Sequence, residues 1–387
     1  MNILFDIIPL QYEPNMKYHG GGEYVKKIFF KLLENSESRE NKIYFILSKN
    51  MKTPQEIENK LIDKKIFYLE EGLENIVYKN KINRFYIGMI KNYLGKKFPK
   101  ELEIIVTIHD LRTLETVYDN TTPFYKNNLK HKIFSIIYRI CKNNLYLENL
   151  INSIRKELFF KNFSNFYKHE NLKIITVSEH SKNMLKTQLR DLEKKEIKVF
   201  YAPEKEILKS ISESKYSFFY ILLVSSNRME KNNIRALIAL DELISDGLYN
   251  GKVVATGGLR LRKSFLKNEE NFIFKDYVKT EELESLYKSA GIFIFPTTTE
   301  GFGYPPLEAM KYGTPVISSA ITATTEILGD APLYFNPFSI AEIKARIYQM
   351  LDKNEQKYRS EKSLERYKIV SKKQNEDLEK IIEMILN

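Results

Sequence analysis

The chain has 387 residues, 43% of them hydrophobic and 29% charged, a balance that excludes a disordered polymer and gives room for two or three domains. Its one cysteine, Cys141, excludes an internal disulfide framework and any zinc site built from several cysteines. The net charge of +11 is uneven: residues 1–200 hold 35 of the 61 basic and 24 of the 50 acidic side chains, so the second half is neutral. Such a split predicts two lobes that face different partners. An AT-rich coding bias toward Lys accounts for the total better than for the split.

Met1 runs straight into NILFDII, without the basic segment and small-residue cleavage site of a secretory signal. No apolar run reaches the roughly 20 residues that span a bilayer. The expectation is a cytoplasmic protein, at most peripheral on the inner face of the cytoplasmic membrane.

Continuous apolar, β-branched runs read as strands buried on both faces. In the first half they are 2–8, 42–48, 66–69, 103–109 and 173–178; in the second, 218–226, 252–258, 271–278, 290–296 and 314–319. Helical patterns separate them, which makes the chain α/β with parallel sheets. KVFYAPEK closes the first series, and the polar SISESKYS precedes the second. The expected organisation is a Rossmann-like domain over 1–205, a second over 206–365, and a helix over 366–387 packing back on the first. Parallel sheets bind ligands beyond the carboxyl ends of their strands, so the two domains are expected to face a cleft.

Residues able to carry chemistry fall at those strand ends. After the first strand comes His19-Gly20-Gly21-Gly22-Glu23-Tyr24, with a helix expected from about Val25. Gly21 and Gly22 permit close backbone approach to a phosphate or sugar, but neither a Walker loop nor G-x-G-x-x-G is present. From Asn75 to Lys100 there are seven bases and no acid, with Tyr78, Phe85, Tyr86, Tyr93 and Phe98 between them; Asn120 to Leu147 is also acid-free. Such a mixture suits an anionic membrane surface, or equally a solvated face over core aromatics. No nucleic-acid recognition motif accompanies it, and no nucleic-acid partner is expected.

EIIVTIHDLRTL (103–114) sets His109 and Asp110 at a strand end, and in KIITVSEHSKNML (173–185) Ser178 is placed to cap a helix. LLVSSNRMEKNNIRALIAL (222–240) puts Arg228 and Lys231 in a turn before a helix, where cations oppose the helix dipole and so favour an anionic ligand. IFIFPTTTEGFGYPPLEAMKYGTPVISS (292–319) joins a strand through Glu300-Gly301-Phe302-Gly303 to a proline-led helix carrying Glu308. Exposed backbone N–H groups there suit an anion, and the carboxylates suit hydroxyls.

Residues 276–335 strongly resemble the donor-binding half of retaining GT-B glycosyltransferases of family 4, the group 1 type; 1–200 resemble it in patches. Glu300 and Glu308 match that family's E-x7-E motif. The resemblance implies that Glu308 holds the ribose of a nucleotide sugar and Glu300 contacts the donor sugar near its reacting carbon. It gives the backbone of Gly301, Phe302 and Gly303 to sugar and phosphate, and Arg228 and Lys231 to the diphosphate in place of a metal. Gly21 and Gly22 would lie beneath the donor, His109 would reach a sugar hydroxyl, and Asp110 would lie near the acceptor. Glu326 matches a glutamate expected to be structural. The implied reaction moves a hexose from a GDP- or UDP-sugar to a glycan or lipid-linked saccharide with retention, in surface polysaccharide or glycoconjugate synthesis, without metal or cofactor. A nucleotide-sugar epimerase, a phosphorylase, or a non-catalytic sugar- or membrane-binding module are the alternatives. Glycoside hydrolysis fits less well, because Glu300 and Glu308 share one loop-helix segment instead of flanking a bond.

Overall fold

Thirteen short strands, four to six residues in most cases, build two parallel sheets among the described residues. The computed structural model describes residues 1–12, 20–36, 40–115, 145–189, 192, 195–205, 216–258, 261 and 263–387. The chain divides into two compact units, one of Met1–Leu111, Lys156–Glu206 and Ser371–Asn387, the other of Arg112–Arg155 and Ile207–Val370.

The first unit holds β1 (Asn2–Asp6), β2 (Lys42–Leu47), β3 (Ile66–Tyr68), β4 (Arg84–Ile87), β5 (Glu103–Ile108), β6 (Leu172–Thr176) and β7 (Ile197–Val199), in the order β3-β2-β1-β4-β5-β6-β7. All neighbours are parallel. Ile3, Leu4 and Phe5 are fully buried, as a strand covered on both faces requires. Helix α1 (Gly20–Ser36) buries Tyr24, Val25, Ile28, Phe29 and Leu32, one face at helical spacing. Phe5 stacks on Tyr86 at 5.0 Å and meets the edge of Phe45 at 6.3 Å. The strand β4 lies inside the basic-aromatic stretch: Phe85, Tyr86 and Tyr93 are core, and Arg84 is buried, whereas Lys91, Lys96, Lys97 and Lys100 are exposed. Residues 120–144 of the second acid-free stretch lie outside the described residues. The remaining helices of the first half are α2 (Gln55–Leu61), α3 (Leu73–Lys79), α4 (Arg112–Glu115), α5 (Leu145–Tyr167) and α6 (Glu179–Gln188).

The second unit orders β8 (Tyr220–Leu223), β9 (Lys252–Ala255), β10 (Phe272–Phe274), β11 (Ile292–Phe295), β12 (Val316–Ser319) and β13 (Leu333–Phe335) as β10-β9-β8-β11-β12-β13, again all parallel. Its helices are α7 (Asn233–Ser245), α8 (Thr280–Ser289), α9 (Tyr304–Met310), α10 (Thr324–Leu328) and α11 (Ile340–Met350). Leu237 and Leu240 of α7 and Ile343 and Ile347 of α11 close over Ile221, Ile292 and Ile317. In each sheet the strand order reverses once, beside β1 and β4 in the first and beside β8 and β11 in the second. Crevices open beyond the carboxyl ends of strands at such switch points.

Helix α12 (Lys353–Leu386) supplies Ser371–Asn387 to the first unit. There Ile381, Ile382, Ile385 and Leu386 are buried, Gln374 donates to the Ala202 carbonyl at 2.6 Å, and Asp377 accepts from the Tyr201 N–H at 2.9 Å. Arg84 Nη1 donates to the Ile385 carbonyl at 2.9 Å and Asn41 Nδ2 to that of Leu386 at 2.8 Å, satisfying carbonyls that a helix end leaves without partners. Among the described residues no helix is long and apolar enough to cross a membrane.

Asp6, at the end of β1, is fully buried and accepts from the Ile8 N–H at 3.0 Å. Burial pushes its carboxyl up to about 7, against the opposing hydrogen bond of the Ile8 N–H and the nearby Tyr93 hydroxyl. The unfolded carboxyl loses its proton near 3.8, so the folded state holds a proton that the unfolded one lacks between those values. The associated stability is therefore complete below about pH 4 and is lost as pH rises through about 7, a change of about 4 kcal/mol. Asp6→Asn should flatten this dependence and melt higher than wild type at pH 8. Parallel wild-type and variant melting curves from pH 4 to 8 would refute the assignment.

Candidate functional site

Four turns at the carboxyl ends of β8, β11, β12 and β13 are joined by side chains of the second unit. The centre is Asn232, whose backbone is left-handed (φ 56°, ψ 22°), a conformation that asparagine tolerates better than most residues. Its Nδ2 donates to the Pro296 carbonyl at 2.9 Å and the Pro337 carbonyl at 2.8 Å, and its Oδ1 accepts from Arg235 at 2.6 Å. The Glu230 carbonyl accepts from the Thr298 N–H at 2.9 Å and the Thr297 hydroxyl at 3.0 Å. The Glu300 N–H donates to the Thr322 hydroxyl at 3.0 Å, with Thr322 also at positive φ (50°).

Within this frame Lys231 and Glu300 form a buried ion pair, 6% and 8% exposed. The Lys231 ammonium lies 5.0 Å from the Phe295 ring centre, and the Thr297 hydroxyl reaches the Glu300 carboxylate at 3.3 Å. Burial pulls the lysine down from its ordinary range, and Glu300 opposes that shift. Arg228 is about one third exposed and pairs with Glu230, which also accepts from Arg112 of α4 at 3.1 Å. Burial works against the charged form of Glu230, but the two guanidiniums outweigh it and hold its carboxyl below the usual range.

Gly303 takes φ +101° as the residue that opens α9, a value that L side chains rarely adopt. Phe302 is buried with its ring edge-on to Tyr304 at 5.5 Å, so the turn can present backbone and not an aromatic face. Gly301 is buried beside it. Glu308, half-buried on α9, lies against the buried phenol of Tyr287, which burial and that carboxylate push well above its ordinary range. Glu326 gives its carbonyl to Arg366 at 2.6 Å.

In the first unit, α1 starts at Gly20, five residues earlier than Val25. Gly21 and Gly22 are therefore a helical first turn instead of a free loop; His19 lies outside the described residues. The turn still offers unpartnered-type N–H positions of a helix start. A Cβ on Gly21 would sit 2.6 Å from Met89 Sδ, so the glycine allows close packing there. His109 is partly buried; its Nε2–H donates to the Gly88 carbonyl at 2.9 Å, and its ring meets Tyr24 edge-on at 4.5 Å. The Ser181 hydroxyl donates to the His109 carbonyl at 3.1 Å, while Ser178 caps α6 by accepting from the Ser181 N–H at 3.2 Å. Asp110 is half-buried next to it.

Glu230, Asn232, Thr297 and Thr322 escaped sequence reasoning. Asn232, in the run EKNN after the basic pair, carried the one local signal, since Asn is common where the backbone turns left-handed. Among the described residues no group of three His, Cys, Asp or Glu is arranged to hold a metal ion.

Residues 204–368 match the family model described as glycosyl transferases group 1. A stretch of 86 residues is 37% identical to the serotype-specific mannosyltransferase WbdA of Escherichia coli, covering 22% of this chain and 11% of that protein. Another of 75 residues is 45% identical to the O-antigen chain mannosyltransferase B of Escherichia coli, covering 19% and 20%. The chain thus spans between a tenth and a fifth of the length of these curated relatives. The solved structure of WaaG, a glycosyltransferase involved in lipopolysaccharide biosynthesis, aligns over 99% of both chains with a TM-score of 0.61 at 12% identity. The fold is accordingly the pair of parallel-sheet, Rossmann-like domains seen in GT-B structures.

Lys231→Met should leave the Glu300 carboxylate buried without its cation and destabilise the second unit by about 3–5 kcal/mol. Adding Glu300→Gln should restore most of the loss. Denaturant unfolding checks both; a single variant as stable as wild type would contradict the pairing.

Proposed function

We propose, from the match of residues 204–368 to the group 1 glycosyl transferases, that the chain transfers a hexose from a GDP- or UDP-sugar to a hydroxyl of a glycan or lipid-linked saccharide, with retention of configuration. The observation that carries this reading is the Lys231–Glu300 pair, set within the matched segment at the sheet's switch point. Mannose is the first hexose to test, because the relatives named above are mannosyltransferases. Surface polysaccharide synthesis, in the cytoplasm or on the inner membrane face, is the proposed setting.

In this mechanism Arg228 and Lys231 meet the donor diphosphate and stabilise the negative charge it gains as the glycosidic bond breaks, without a metal or other cofactor. Fixed cations with low exposure do this better than mobile surface ones, because little reorganisation remains at the moment of reaction. Glu308 accepts hydrogen bonds from the ribose, and Glu300 contacts the donor sugar near its reacting carbon. Gly301, Phe302 and Gly303 contribute backbone. The acceptor hydroxyl attacks from the face the diphosphate leaves, and a leaving phosphate oxygen takes its proton. His109, whose ring plane is set by the Gly88 carbonyl and Tyr24, positions a sugar hydroxyl, with Asp110 near the acceptor and Gly21 and Gly22 lining the approach.

The exposed Lys91, Lys96, Lys97 and Lys100 flank Leu94 in the sequence, itself 39% exposed, and form the surface proposed for an anionic membrane. The aromatic contribution is smaller than the sequence suggests, because Phe85, Tyr86 and Tyr93 are core.

Glu308→Ala should raise the donor KM by at least about tenfold, whereas Glu300→Gln should lower kcat on the order of 10²-fold with a smaller effect on nucleotide binding. Transfer from GDP-mannose, UDP-glucose and related donors, with short glycans as acceptors, provides the assay. Unchanged kinetics in both variants would overturn the site. Replacing the four lysines with glutamine should cut partitioning onto phosphatidylglycerol vesicles; equal partitioning would remove the membrane proposal.

A further inference from the structure

A cavity of about 360 Å³ lies at the carboxyl ends of β12 and β13, lined among others by Ile321, Tyr334, Asn336, Pro337, Phe338 and Glu342. That is near the lower end of the roughly 300–1,000 Å³ range of small-molecule sites. Its composition is specific. Phe338 is 42% exposed, yet the residues that hold it are buried. The Arg235 guanidinium, 8% exposed, lies 5.4 Å from the Phe338 ring centre, and Arg235 is itself held by Asn232 Oδ1 at 2.6 Å. Asn232 also fixes the preceding Pro337 through its carbonyl, and the Phe338 N–H donates to Asn336 Oδ1 at 3.0 Å. An aromatic ring is thus displayed at the surface in a fixed place by a buried arginine and a buried asparagine.

A rigid ring with an open face, apolar flanks from Ile321 and Pro337, and a carboxylate on the rim form a combination suited to a pyranose. The C–H face of the sugar packs on the ring, and the carboxylate accepts from its hydroxyls. A nucleotide phosphate fits poorly, because the charged group lining the cavity is the acidic Glu342. The cavity also adjoins the site: Ile321 precedes Thr322, whose hydroxyl holds the Glu300 N–H, and Pro337 shares Asn232 with Pro296.

We propose that this cavity is a carbohydrate subsite that holds one pyranose residue of the glycan on Phe338, with Glu342 accepting from its hydroxyls. The proposal rests on the reading of the chain as a glycan-handling transferase, and it adds a glycan contact from the second unit that the donor-site residues do not supply.

The test measures binding of mannotriose and of maltotriose to the full chain by saturation-transfer NMR and calorimetry, with GDP and UDP titrated separately. Wild type should bind at least one trisaccharide at millimolar concentration. Phe338→Ala should weaken that binding at least about tenfold, equal to 1.4 kcal/mol, and Glu342→Gln should weaken it less. Phe338→Trp should retain it. Nucleotide affinity should be the same in all four proteins, which shows that the fold of the site is intact. Failure of wild type to bind either trisaccharide, or equal binding by Phe338→Ala, overturns the subsite. Failure of the transferase reading shows differently, as absence of hexose transfer or nucleotide-sugar hydrolysis while trisaccharide binding persists.

Discussion

A lysine and a glutamate, both almost fully withdrawn from water, set the terms for the second unit. Neither charge could be buried alone, since each would lose its hydration without a compensating partner. Their union therefore requires that the turn after β8 and the turn after β11 be held together, and Asn232, Thr297 and Thr298 hold them. The same asparagine extends the frame to the turn after β13, and Thr322 brings in the turn after β12. Four loops, each of which could wander alone, become one rigid surface through a handful of hydrogen bonds between residues distant in sequence. Preorganisation of this kind is what electrostatic catalysis asks of a protein.

Much of the frame was legible in the sequence, for a physical reason. Parallel strands covered on both faces must be continuously apolar, so NILFDII and IFIF announce themselves. Short elements do not: RFYI of β4 sits among lysines, and β7 and β13 are three residues each. The glycines of the first unit were visible, but not that they begin the helix, because glycine has poor helix propensity and reads as a turn. Glu300, Glu308, Arg228 and Lys231 stood out by residue type and spacing. Their supports did not, since Asn232 reaches partners 64 and 105 residues away and nothing local encodes that contact.

Charge proves to be divided by chemistry as well as by position. Several arginines act inside the fold on main-chain carbonyls: Arg84 on Ile385, Arg346 on Tyr334, Arg359 on Asp330, and Arg366 on Glu326 and Ile327. Their planar, multiply donating forks suit that work. The lysines from 91 to 100 remain in water. Among the described residues, the lysines of this stretch are surface charge, while these arginines act as structural residues.

The Arg84 contact has a further consequence for how the protein is made. Translation delivers β1 to β7 early, and with them Glu103, which pairs with Arg84 of β4; yet the carbonyl of Ile385 that Arg84 Nη1 also holds becomes available only when the last turn of α12 is made. Between those moments Ile207–Val370 of the second unit are synthesised. The first unit therefore stays incompletely covered until Ser371–Asn387 have been made.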